Sequence, residues 1–116
     1  MNQLLEQIDP VFQALADPSR REVVRLLSAG PMRASDLASG VGLARNAMSR
    51  HLGVLRDCGL VAVELSATDA RSRLYRLQGE RLAEARDWIE LIEREWRDQL
   101  GRFKRFAEAH TEPPSS

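Results

Sequence analysis

Residues 34–77 change hydrophobic period part-way, and that change restricts the fold more than any other feature of the chain. Up to residue 57 the pattern is helical. Ala38 is followed four residues on by Gly42 and six residues later by Met48. That spacing suits two helices joined by a sharp turn: the small Ala allows close approach, the Gly takes the turn, and the Met anchors the second helix. Met48, Leu52 and Leu55 then recur at i, i+4 and i+7, the buried face of a helix. After Cys58-Gly59 the period drops to two. Val61, Val63 and Leu65 alternate with smaller or polar residues, as in a half-buried strand, and Arg73-Leu74-Tyr75-Arg76-Leu77 reads as the returning strand.

The flanking segments are helical. Asp9-Pro10 and Asp17-Pro18 each predict a helix start, with Asp as N-cap and Pro at the first helical position. Helices are expected over 10–16 and 18–28, the second burying Val23, Val24, Leu26 and Leu27 before Ala29-Gly30-Pro31 stops it. Leu4, Leu5 and Ile8 belong to a preceding turn or helix. A short helix over 34–40 and a longer one over 45–57 form the helix-turn-helix. From Glu80 to Ala109 the apolar residues Leu82, Ala85, Ile89, Ile92, Trp96, Leu100, Phe103 and Ala107 form one stripe. The pairs Glu90–Arg94, Glu93–Arg97 and Asp98–Arg102 have the favourable acid-before-base order. A helix of that length spans about 45 Å, more than a small domain covers, so part of the stripe needs another partner. The fold class is mainly α with a small β-hairpin: a winged helix-turn-helix. Its divisions are an N-terminal extension (1–9), the winged helix-turn-helix domain (10–79), a C-terminal helix of the same domain (80–109) and a disordered tail (110–116).

Composition excludes much. The chain has 116 residues, and Lys+Arg and Asp+Glu are both 17, so the net charge is zero. No apolar run approaches the ~20 residues of a spanning helix, and no signal peptide is visible at the start. Cys58 is the only cysteine, which excludes an internal disulfide and fits a reducing, cytoplasmic setting. His51 and His110 are the only histidines, and neither stands in a metal-ligand spacing. With no phosphate loop and no nucleophile elbow, the sequence gives an enzyme nothing to work with. No metal and no cofactor is expected.

Charge is unevenly spread. Residues 33–76 hold seven Arg against four acids, whereas residues 77–116 hold seven bases against nine acids. On the outward face of the second motif helix lie Arg45, Asn46, Ser49, Arg50 and Gly53. Arg makes bidentate contacts to guanine and Asn to adenine in the major groove. Arg33, before the motif, and Arg71 and Arg73, in the hairpin, suit phosphate or minor-groove contacts. The partner read from these residues is double-stranded DNA.

Phe12-Gln13-Ala14-Leu15-Ala16-Asp17-Pro18-Ser19-Arg20-Arg21 resembles the opening of ArsR-type winged-helix repressors. Asp36-Leu37-Ala38, Met48-Ser49-Arg50-His51-Leu52, Val54-Leu55-Arg56, Gly59-Leu60-Val61 and Tyr75-Arg76-Leu77 continue the likeness over residues 10–106. The last helix, with Trp88 and Trp96, is similar to the metal-independent, SdpR-like branch. The resemblance implies a homodimer joined through the first and last helices, binding an inverted-repeat operator and repressing transcription. Val11, Phe12, Leu15, Ile89, Ile92, Trp96, Leu100 and Phe103 are the expected dimer interface. Departures are also present: Pro31-Met32-Arg33-Ala34-Ser35 stands where the metal sensors of the family carry Cys ligands. Ala44 stands in place of the usual Ser cap, and the hairpin tip lacks the usual Gly. Two alternatives stay open: a winged helix used as a protein-interaction module without DNA binding, and a thiol-responsive regulator using Cys58. No effector is indicated.

Overall fold

The computed structural model describes residues 2–69 and 72–110. Among them are five helices and one antiparallel hairpin: α1 (Asn2–Leu15), α2 (Pro18–Leu27), α3 (Ala34–Val41), α4 (Arg45–Asp57), β1 (Val61–Leu65), β2 (Arg73–Leu77) and α5 (Gly79–Ala109). The chain forms two compact units, residues 1–85 and 86–116.

The first unit departs from expectation at its start. Asp9-Pro10 does not begin a helix; Pro10 lies inside α1, so residues 2–9 belong to the same helix as residues 10–15. Ile8, Val11 and Ala14 recur every three residues with 0% exposure, and only a helix running through Pro10 buries all three. An interior Pro costs about 3 kcal/mol, and burying Ile8 and Val11 at about 1.5–3 kcal/mol each offsets it. The same burial corrects the dimer assignment of Val11, which faces its own core. Phe12 and Leu15 are half-buried against that core.

Asp17-Pro18 behaves as predicted. Asp17 Oδ1 accepts from the backbone N–H groups of Ser19 (2.8 Å) and Arg20 (3.2 Å), and Pro18 opens α2. The Arg20 N–H, above all, holds the Asp17 carboxyl below its ordinary value; the Ser19 N–H and the Arg20 charge add to this. The two following arginines close the other end of the junction. Arg20 Nε donates to the Ala14 carbonyl (2.6 Å) and Arg21 Nη1 to the Leu15 carbonyl (2.9 Å). These are carbonyls that the last turn of α1 leaves without helical partners.

Val23, Leu27, Leu37, Met48, Leu52, Leu55, Leu60 and Val61 make the centre of the core, with Ala85 of α5 closing it. Val24 and Leu26 are only half-buried. The hairpin pairs Val61 with Leu77 and Leu65 with Arg73. Burial fades along β1: Val61 is 2% exposed and Leu65 is 66% exposed, so the alternation marks a buried surface only near the helices. A third extended segment joins the sheet, because Met32 bridges Tyr75.

The second unit begins at Arg86 and carries the remainder of α5. Ile89, Ile92, Trp96, Leu100, Phe103 and Phe106 are all exposed, from 42% at Ile92 to 68% at Phe103. Of the three expected ion pairs, Glu93–Arg97 forms at 3.2 Å. Glu90 instead pairs with Arg86 at 3.7 Å, and Asp98–Arg102 is absent among the described residues. Exposed pairs of this kind are worth only a few tenths of a kcal/mol, so Glu90 takes whichever Arg one turn away suits its rotamer. Residues 111–116, expected as a disordered tail, lie outside the described residues.

Candidate nucleic-acid interface

The turn between α3 and α4 is built as the sequence requires. Gly42 takes the left-handed conformation (φ 79°) at the end of α3, which an L side chain rarely adopts. Its N–H and that of Leu43 both donate to the Ala38 carbonyl, at 2.9 and 3.0 Å. Ala38 is 6% exposed and Met48 1%, so the small residue and the anchor meet inside the core. Neither motif helix has a side-chain N-cap: Arg33 before α3 and Ala44 before α4 leave their first backbone N–H groups without one. Such amide ends attract anions.

With Met48, Leu52 and Leu55 buried, α4 presents Arg45, Asn46, Ser49 and Arg50 exposed. Arg45 is placed differently from the expectation that it projects opposite Met48. Three residues on a helix turn through about 300°, so Arg45 and Met48 lie about 60° apart. Both line a cleft of about 280 Å³ with Ala34, Ser35 and Ser49. Arg50 stands on the far side. Gly53 is half-buried, and a Cβ added there would meet nothing within 4 Å, so the protein itself does not need a Gly at this position. Arg33 and Arg73 are exposed; Arg71 lies outside the described residues.

Most of the arginines around this face carry no ion pair, Arg76 of the hairpin being paired with Glu64 at 3.4 Å. Among the described residues, Arg33, Arg45, Arg50, Arg56 and Arg73 have no carboxylate within 4.0 Å. Elsewhere among them Arg25, Arg81, Arg86 and Arg97 are paired with acids of their own helices, whereas Arg94, Arg102 and Arg105 of α5 are not. Arg56, in the last turn of α4, joins the unpaired set although its sequence context suggests no role. Cys58 caps the end of α4, and its Sγ donates to the Leu55 carbonyl at 3.3 Å. Among the described residues no three His, Cys, Asp or Glu side chains are grouped to hold a metal ion.

Residues 15–64 match a family described as a helix-turn-helix domain. The HTH-type transcriptional regulator NmtR of Mycobacterium tuberculosis is 36% identical over 86 residues, 74% of this chain and 69% of that protein. An ArsR-like transcriptional regulator from Rhodococcus sp. RHA1 is 32% identical with a TM-score of 0.75, over 88% of this chain and 93% of that one. The chain belongs to the ArsR family of transcriptional regulators. Its fold is shared by the homodimeric winged helix-turn-helix DNA-binding domain of Mb0332 from Mycobacterium bovis. That domain is 24% identical with a TM-score of 0.63, over 97% of this chain and 93% of that one. The matched residues 15–64 cover the helix-turn-helix of α3 and α4. The Transcriptional repressor SdpR of Bacillus subtilis is also similar, at 35% identity over 52 residues, 45% of this chain and 58% of that protein. No helix among the described residues is long and apolar enough to cross a membrane.

Proposed function

We propose that this ArsR-family protein is a homodimeric repressor that binds an inverted-repeat operator in double-stranded DNA. The observation that carries the reading is the set of unpaired arginines on the face formed by α3, α4 and the hairpin. Arg50, Asn46 and Ser49 read base edges from α4, Gly53 lets its backbone approach the duplex, and Arg45 reaches from the α3 side. Arg33, Arg71 and Arg73 grip phosphates on either flank, and the uncapped starts of α3 and α4 receive further phosphate oxygens.

The exposed stripe Ile89, Ile92, Trp96, Leu100 and Phe103 supports the homodimer. An apolar face of this length is a protein-interaction surface, and a second copy gives it a like-faced, self-complementary partner. Phe12 and Leu15 supply the contribution of α1. The regulator needs no metal: the chain has one thiol and two imidazoles, and the Cys58 thiol is engaged in ending α4. Selecting bound duplexes from a random pool tests the reading. Inverted repeats with half-sites about 34–36 Å apart are expected. Recovery of unrelated sequences at equal affinity would contradict it. Stoichiometric Zn²⁺ is expected to leave the selected complex intact.

A further inference from the structure

Arg20 does more than close the end of α1. Its Nε and Nη2 take the carbonyls of Ala14 (2.6 Å) and Gln13 (3.2 Å), while its Nη1 lies 3.3 Å from Nδ1 of His51 on α4. A guanidinium has only donors, so His51 Nδ1 is the acceptor and is unprotonated in this arrangement. One side chain of α2 therefore ties the end of α1 to the recognition helix.

We infer that Arg20 is a positioning residue for DNA recognition, acting through the neutral ring of His51 to fix the roll of α4. The apolar contacts of Met48, Leu52 and Leu55 hold α4 against the core, and a directional hydrogen bond on the same helix adds to what fixes its roll. His51 lies about 60° round the helix from Met48 and about 100° from Arg50. A hydrogen bond at that position opposes roll. A roll of about 20° moves a side chain at a radius of about 6 Å by about 2 Å, enough to part a bidentate contact from its base. Asp17, which caps α2, is the other charged group acting on the ring. An imidazolium carries a proton on Nδ1 and cannot accept, so charging the ring removes the Arg20 bond and sets two cations together.

This inference rests on the proposal that α4 reads the duplex; that proposal fails if Arg50→Ala is without effect, whereas this one is tested at His51. The probe is a duplex selected by the wild-type protein from a random pool, compared with a scrambled duplex. His51→Leu, which cannot accept, is expected to lose about tenfold or more in affinity for the selected duplex, the worth of a hydrogen bond to a charged group. Affinity for the scrambled duplex should stay within about twofold. His51→Asn keeps an acceptor near the Nδ1 position and should restore selectivity. Arg20→Lys combined with His51→Leu should lose no more selectivity than His51→Leu alone. Full selectivity in a folded His51→Leu protein, or equal losses on both duplexes, would overturn the inference.

Discussion

Met32 and Tyr75 exchange both of their backbone hydrogen bonds, Met32 N–H to Tyr75 at 3.0 Å and Tyr75 N–H to Met32 at 2.8 Å. The pair fastens the segment before α3 to the second strand of the hairpin. Arg33 comes directly after Met32, and Arg73 lies two residues before Tyr75, so two proposed phosphate-binding residues share one rigid join. Met32→Pro removes one donor. Faster amide exchange at Tyr75 is expected, with weaker binding to all duplexes and an unchanged preference among them. Unchanged exchange at Tyr75 would show that the join does not depend on this pair.

Gly53 offers a test in which stability and binding separate. Nothing in the protein lies within 4 Å of an added Cβ there, and Gly inside a helix costs about 1 kcal/mol relative to Ala. Gly53→Ala should therefore raise the melting temperature. If α4 enters the major groove with its backbone close to the duplex, the same change should weaken operator binding. A variant both more stable and equally tight would place Gly53 outside the interface.

The Asp17 cap predicts an acid-dependent loss of stability. A carboxyl whose pKa is lowered on folding stabilises the protein above its unfolded value and loses that contribution as the pH falls through the folded one. Asp17→Asn, which still caps, should melt below the wild type at neutral pH, and the gap should close below about pH 4. A gap that persists in acid would mean that the carboxylate charge is not what acts.

The stripe on α5 predicts assembly. Replacing Ile92 and Trp96 together by Glu should give monomers by light scattering, with Leu82 and Ala85 still holding the core of the first unit. A monomeric wild type at micromolar concentration would remove the dimer.

These elements are not equally readable from the residues. The Asp17-Pro18 start, the Ala38–Gly42–Met48 spacing and the period-two strands are local signals in which residue type and backbone geometry coincide, and the structure keeps them. Asp9-Pro10 carries the same local signal as Asp17-Pro18, yet tertiary burial of Ile8 and Val11 overrides it. Met32 joins the sheet through a single pair of backbone bonds, too short to impose a period. The acceptors of Arg20 and Arg21 are backbone carbonyls, which leave no mark in the sequence, so only the arginines themselves are visible there. Arg45 is exposed, as its place in the motif predicts, but its position beside Met48 comes from counting angle rather than from residue type.

Whether α4 reads DNA with Arg45 and Arg50 is tested most directly by measuring operator and scrambled-duplex affinities of three proteins over a range of salt. For the double variant Arg45→Ala/Arg50→Ala, a loss of about 1–3 kcal/mol per half-site confined to the operator is expected. Arg73→Ala should instead weaken both duplexes alike and reduce the salt slope by about one unit per subunit. Wild-type affinity of the double variant for the operator would contradict the account and favour a winged helix that binds protein instead.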